Sequence, residues 1–185
     1  MIIAGASRRF MNSTRAFGIA AGLMFLMAAT SGYSLGWSLV NAKIRHDFPE
    51  VKRITTAELA TWLADHNRPA PLLLDVRTQA EYAVSHLRDA EHVAPDAPAS
   101  AVQAPKDRPI VTYCSVGYRS GAFAQKLNDA GFTNVVNLEG SIFAWANEGR
   151  PLVHDGAPVD KVHPYNRTWG LLLQKEYRAD VPSIE

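Results

Sequence analysis

The chain is 185 residues long, 47% apolar and 20% charged, enough for one globular domain with a hydrophobic core and about 40 to 60 residues of attachments. Its formal charge of +1 gives no basic field for nucleic acid. A single cysteine excludes an internal disulfide framework and a cysteine-built metal cluster, which leaves either a buried thiol or a reactive one.

Residues 1–16 form a basic head: Arg8, Arg9 and Arg15 are present, and no acidic residue occurs before Asp47. Residues 17–42, FGIAAGLMFLMAATSGYSLGWSLVNA, carry no charge, and about 20 such residues cover a hydrocarbon core roughly 30 Å thick. The leading expectation is a transmembrane helix, with Tyr33 and Trp37 as interfacial aromatics. The alternative is a cleaved secretory signal, with Ala16 to Ala29 as its apolar region and small residues from Ala28 to Gly32 for cleavage; an organellar presequence is a third reading. Lys43, Arg45, Lys52 and Arg53 compete with the N-terminal arginines in setting orientation. The signal-like order of basic head then apolar run predicts a single-pass protein of a bacterial inner membrane with its domain on the periplasmic side, or a secreted domain if the segment is cleaved.

Residues 43–50 read as a polar stalk, and Val51 to Thr55 as a short strand that opens a domain over 51–153. Thr55 with Glu58 has the spacing of a capping box, and Leu59, Trp62 and Leu63 give the helix that follows one apolar face before Asn67, Arg68 and Pro69 stop it. Leu72 to Val76 is a continuous apolar run broken only by Asp75, the pattern of a buried parallel strand, and Thr78 with Glu81 repeats the capping-box spacing. Ala94 to Pro109, with four prolines, reads as an irregular connection holding one helical turn.

Ile110 to Tyr113 form a β-rich strand that runs straight into CSVGYRS and a helix carrying Phe123 and Leu127, stopped at Gly131. Val135 to Leu138 supply a further strand, and Ser141 to Asn147 a short helix ending at Gly149 and Pro151. Trp145, Phe123 and Phe143 are expected in the core. Strands alternating with helices define an α/β fold, a parallel sheet with helices on both faces. The extension over 154–185 breaks this alternation, with one short helix expected between Asn166 and Tyr177.

In an open α/β sheet the reactive site lies at the carboxyl ends of the strands, which is where this pattern puts Cys114. The loop Cys114, Ser115, Val116, Gly117, Tyr118, Arg119, Ser120 can curl so that its N–H groups face an anion, with Gly117 free to take positive φ. Moving a cysteine pKa from about 8.5 to about 6.5 requires roughly 2.7 kcal/mol. A helix dipole supplies about 0.3 to 2 kcal/mol, so N–H bonds and Arg119 must add the rest.

These residues also carry a family likeness. CSVGYRS resembles the active-site loop C-x-x-G-x-R-S of single-domain rhodaneses, the thiosulfate sulfurtransferase-like family. LLLDVRTQAEY (Leu72 to Tyr82) resembles its D-V-R-x-x-x-E-[FY] segment, SHLRDAEHV (Ser85 to Val93) a worn G-H-I-P-G-A-x-N-I, and NLEGSIFAWANEGRPLV (Asn137 to Val153) its L-x-G-G-x-x-A-W-x-x-x-G-x-P-[LV]. The resemblance implies a small five-stranded parallel sheet with helices on both sides and sulfur transfer through a persulfide on Cys114. It implies a small sulfur-donor anion and a thiol or cyanide acceptor; no cofactor is expected, and the lack of clustered ligands argues against a metal. Arg119 would bind the donor, with Ser115, Val116, Gly117, Tyr118 and Ser120 forming the cradle. Asp75, Arg77 and Glu81 are expected to support the site, Arg77 pairing with Glu81 four residues on. Ser85, Arg88, Asp89 and Ser141 depart from the family pattern at turns near the site. His86 and His92 read as structural hydrogen-bonders, not ligands.

Three rivals stand beside this reading. Cysteine phosphatases also use a cysteine, a loop and an arginine, but their loop encloses one residue more than the four between Cys114 and Arg119. A binding module would use the domain to hold a partner at the membrane, with HPYNRTWGLLL as a docking element, although such modules often lack the cysteine. Thiol redox signalling would need a resolving cysteine, which this chain does not supply.

Overall fold

A computed structural model describes residues 34–182. The chain divides into a unit ending at Leu35 and a unit beginning at Gly36; the architecture that follows is that of the second. The first element, α1, is helical over residues 34–47 among the described residues and stops ahead of Pro49, which restricts the residue before it to extended backbone.

Five parallel strands follow: β1 (Lys52–Ile54), β2 (Leu72–Asp75), β3 (Glu91–His92), β4 (Ile110–Tyr113) and β5 (Val135–Leu138). They lie in the order β1-β5-β4-β2-β3, so the sequence-expected five-stranded parallel sheet is the observed one. β2 and β4 are buried at every residue, which explains their continuous apolar character. Helices α2 (Thr56–Ala64), α3 (Gln79–Val84), α4 (Tyr118–Asp129) and α5 (Ser141–Asn147) connect them. Both expected capping boxes are formed, Thr55 with Glu58 at α2 and Thr78 with Glu81 at α3. One 3₁₀ turn, Ala99–Ala101, interrupts the proline-rich connection.

Alternation along the strands sorts the core into two layers. Leu73, Val111 and Tyr113 pack with Leu59 and Trp62 of α2 and with Ile142, Phe143 and Trp145 of α5. Leu72, Leu74 and Ile110 point to the other face, onto Phe123, Ala124 and Leu127 of α4.

Three expectations need correcting. Of the membrane span foreseen over 17–42, residues 17–33 lie outside the described residues, and among the described residues no helix is long and apolar enough to cross a membrane. From Gly36 onward the segment is a helix of the folded unit: Trp37, Val40 and Ile44 recur at i, i+3 and i+7 on one face, Ile44 is buried, and Trp37 and Val40 pack on the core. Residues 43–47 continue that helix in place of a stalk. At the other end, the helix expected between Asn166 and Tyr177 is two 3₁₀ turns, Trp169–Leu172 and Lys175–Tyr177. Before them, β6 (Leu152–His154) and β7 (Ala157–Val159) make an antiparallel hairpin. Its Asp155-Gly156 turn has both residues at positive φ, the geometry that Asp-Gly favours.

Candidate active site

The carboxyl ends of β2, β4 and β5 meet at Cys114. Gly117 ends the loop after β4 with φ 110°, a backbone that favours glycine, and its N–H lies 3.2 Å from Cys114 Sγ. Helix α5 fixes the loop from outside. The N–H groups of Ile142 and Phe143, which the first turn of a helix leaves unpaired, donate to the carbonyls of Cys114 and Ser115, each at 3.1 Å. Ser141 Oγ accepts the N–H of Cys114 at 3.1 Å and donates to the Leu138 carbonyl at 3.1 Å.

Cys114 is buried, and its Sγ lies 3.5 Å from the Ser120 hydroxyl. That hydroxyl has one proton, and its shorter contact, 2.6 Å, is to Asn137 Oδ1; Asn137 Nδ2 in turn donates to the Gly117 carbonyl at 2.9 Å. Burial pushes the thiol pKa up, but the Arg119 charge, the Ser120 N–H and the Gly117 N–H outweigh it, so the net direction is down.

Arg119 is anchored as an electrostatic clamp. Its guanidinium grips Glu81 with two bonds of 2.8 Å and donates to Ser115 Oγ at 2.9 Å. Ser115 Oγ itself donates to Glu81 Oε1 at 2.7 Å. Burial would raise the Glu81 carboxyl, yet Arg119 and Ser115 hold it down at about 2. The expected Arg77–Glu81 pair does not form. Arg77 bends back on Asp75, with Nη2 2.7 Å from Oδ2 and both side chains fully buried, and it reaches the Ser85 carbonyl. The guanidinium fork suits a bidentate carboxylate at close range, and Asp75 also accepts the Arg77 N–H. His86 hydrogen-bonds through Nδ1 to the Tyr82 carbonyl at 3.2 Å, and His92 through Nε2 to the Arg77 carbonyl at 2.8 Å.

Comparison with known proteins gives this arrangement its relatives. The description of a rhodanese-like domain matches residues 55–148, about half of the chain. The chain belongs to the rhodanese-like family. It is 38% identical over 104 residues to a sulfurtransferase of Allochromatium vinosum, a match that covers 56% of this chain and 95% of that one. A match to the tRNA uridine(34) hydroxylase of Escherichia coli, 31% identical over 113 residues, covers 57% of this chain but only 31% of that enzyme. Among solved structures, a rhodanese-like domain protein of Staphylococcus aureus is 30% identical with a TM-score of 0.51, covering 57% of this chain and 99% of that one.

Within the rhodanese-like domain, the structure brings Cys114, Ser115, Val116, Gly117, Tyr118, Arg119 and Ser120 around one loop, with Glu81 joined to it and the Asp75–Arg77 pair beneath. Tyr118 points outward, its hydroxyl donating to Asp47 Oδ2 at 2.8 Å. The departure at Ser141 has a physical reading: it keeps a positive φ of 50°, and its hydroxyl holds the cysteine N–H. Asn137 escaped the sequence reading, although a polar residue inside the apolar strand VVNL was a signal for it. His163 and Tyr165 were visible only within the segment HPYNRTWGLLL, with nothing to tie them to Cys114. Tyr165 sits at φ 63°, a rare region for a bulky residue, its N–H bonded to His163 Nδ1 at 2.9 Å and its ring 4.9 Å from the Arg119 guanidinium.

Proposed function

We propose that this protein is a sulfurtransferase that carries sulfane sulfur on Cys114, from a donor such as thiosulfate to a thiophilic acceptor. The observation that carries this reading is the Gly117 N–H donor, 3.2 Å from a thiol whose pKa is lowered despite burial. A thiolate in that setting is both a nucleophile and a leaving group.

In the first step Cys114 Sγ attacks the outer sulfur of thiosulfate. A new S–S bond forms, the old one breaks, and its electron pair leaves with sulfite. The persulfide's terminal sulfur is then attacked by cyanide or a thiol, and Cys114 departs as thiolate. The Gly117 and Ser120 donors steady the negative charge at each stage, and Arg119, held by Glu81, supplies a fixed positive field. The apolar run ahead of Gly36 would hold the domain at a bacterial inner membrane, or export it as a cleaved signal; cell fractionation with an alkaline carbonate wash distinguishes the two.

The test is the intact mass of the full chain after incubation with thiosulfate. A gain of one sulfur, about 32 Da, on wild type and none on Cys114→Ser supports the persulfide, and thiocyanate formed from cyanide adds turnover. Absence of both across several donors sinks the reading and favours a binding module built on the same fold.

A further inference from the structure

Half of the residues that line the pocket above Cys114 lie outside residues 55–148. The pocket encloses about 470 Å³, with Cys114 and Val116 in its floor, Leu39 and Val40 of α1 on one wall and Tyr165 and Trp169 of the C-terminal extension on another. That volume lies in the range of small-molecule sites. The walls are apolar, and Leu39 and Trp169 are 63% and 36% exposed at the pocket.

The charges at this pocket are already spent. Its two cations are Lys43 and Arg119. Lys43 pairs with Asp47 at 2.8 Å, and Arg119 pairs with Glu81 at 2.8 Å while its outer face lies under the Tyr165 ring. Among the described residues, a small inorganic dianion therefore meets the loop N–H groups but no unpaired cation on these walls. A compound with an apolar body meets a matching surface.

We infer that this pocket selects organic sulfur compounds, persulfides and thiols whose sulfur carries an alkyl chain or a ring, over small inorganic sulfur anions. The inference rests on Cys114 being the sulfur carrier. For a persulfide R–S–SH, Sγ attacks the terminal sulfur, the Sγ–S bond forms and the donor's S–S bond breaks. The electron pair leaves as R–S⁻, and the proton stays on the transferred sulfur. The body R lies between α1 and the C-terminal extension throughout.

Alkanethiosulfonates, R–SO₂–S⁻, test this because they keep one reacting group and one leaving group while R grows. The full chain, free of detergent, is loaded from methane-, butane- and octanethiosulfonate, with thiosulfate alongside, and the rate of sulfur gain is read by intact mass. Burial of each added methylene predicts a rise of about two- to fourfold until the pocket is full. The double variant Leu39→Asn, Trp169→Ala should flatten that dependence. Sulfur loading at rates that do not change with R overturns the inference and leaves the Cys114 carrier standing. If no donor loads sulfur, the carrier reading fails, and calorimetry of Cys114→Ser with methane- and octanesulfinate decides the pocket alone: affinity that grows with R upholds it, and equal or absent binding overturns it.

Discussion

Replacing Glu81 with Gln separates the charge of the Arg119 clamp from its shape. Gln is close in size and can still serve as the N3 partner of Thr78 in the capping box, so α3 keeps its start. What disappears is a carboxylate with its side chain fully buried that takes two 2.8 Å bonds from Arg119. Folding lowers the Glu81 pKa from 4.5 to about 2, equivalent to about 3 kcal/mol. The sign follows from the direction. A carboxyl whose folded pKa is depressed stabilises the fold above its unfolded value, and that contribution is lost as pH falls from about 4.5 towards 2. Glu81→Gln should therefore melt roughly 6 to 12 °C below wild type at pH 7, with the gap closing towards pH 2. The thiol should move the other way in reactivity. With the negative charge gone, the Arg119 field at Sγ is no longer partly cancelled, and the Cys114 pKa falls further. Alkylation by iodoacetamide as a function of pH reads that pKa without ambiguity, since the chain has one cysteine. Unchanged melting at pH 7, or a thiol pKa that rises, would refute this account of the clamp.

Gly117→Ala puts a Cβ 3.2 Å from Ile44 Cδ1 on a backbone with φ 110°; a loss of about 1 to 3 kcal/mol should appear in thermal melts, together with slower sulfur loading. Asn137→Ala removes two buried hydrogen bonds, costing about 1 to 3 kcal/mol. It also frees the Ser120 proton for Sγ, so the alkylation profile should shift to lower pH. Arg77→Met strands Asp75 fully buried and should cost about 3 to 5 kcal/mol in chemical denaturation, most of it recovered when Asp75→Leu is added.

The parts of the fold visible in the sequence were those with local causes. Strands buried on both faces read as continuous apolar runs, and two capping boxes announced α2 and α3 because the residues that form them lie three apart. The loop after β4 was visible because its positive φ favours Gly117. The hidden parts depend on partners distant in sequence. Arg119 is 38 residues from Glu81, so spacing along a helix suggested Arg77 for Glu81 while the folded geometry gave Arg77 to Asp75. Residues 36–42 carry no charge and read as membrane, yet the same Trp37 and Val40 that suit lipid suit a protein core equally well. Tyr165 reaches the site through a chain path with no periodicity to read.

The outermost strands of the sheet are its shortest. β3 contributes two residues, Glu91 and His92, and β1 three, the first opening with an acid and the second with Lys52 and Arg53. An exposed edge is a template on which another chain can add a strand, and brevity and charge both weaken it. At high concentration the folded domain thus offers little at these sheet edges for strand-to-strand aggregation.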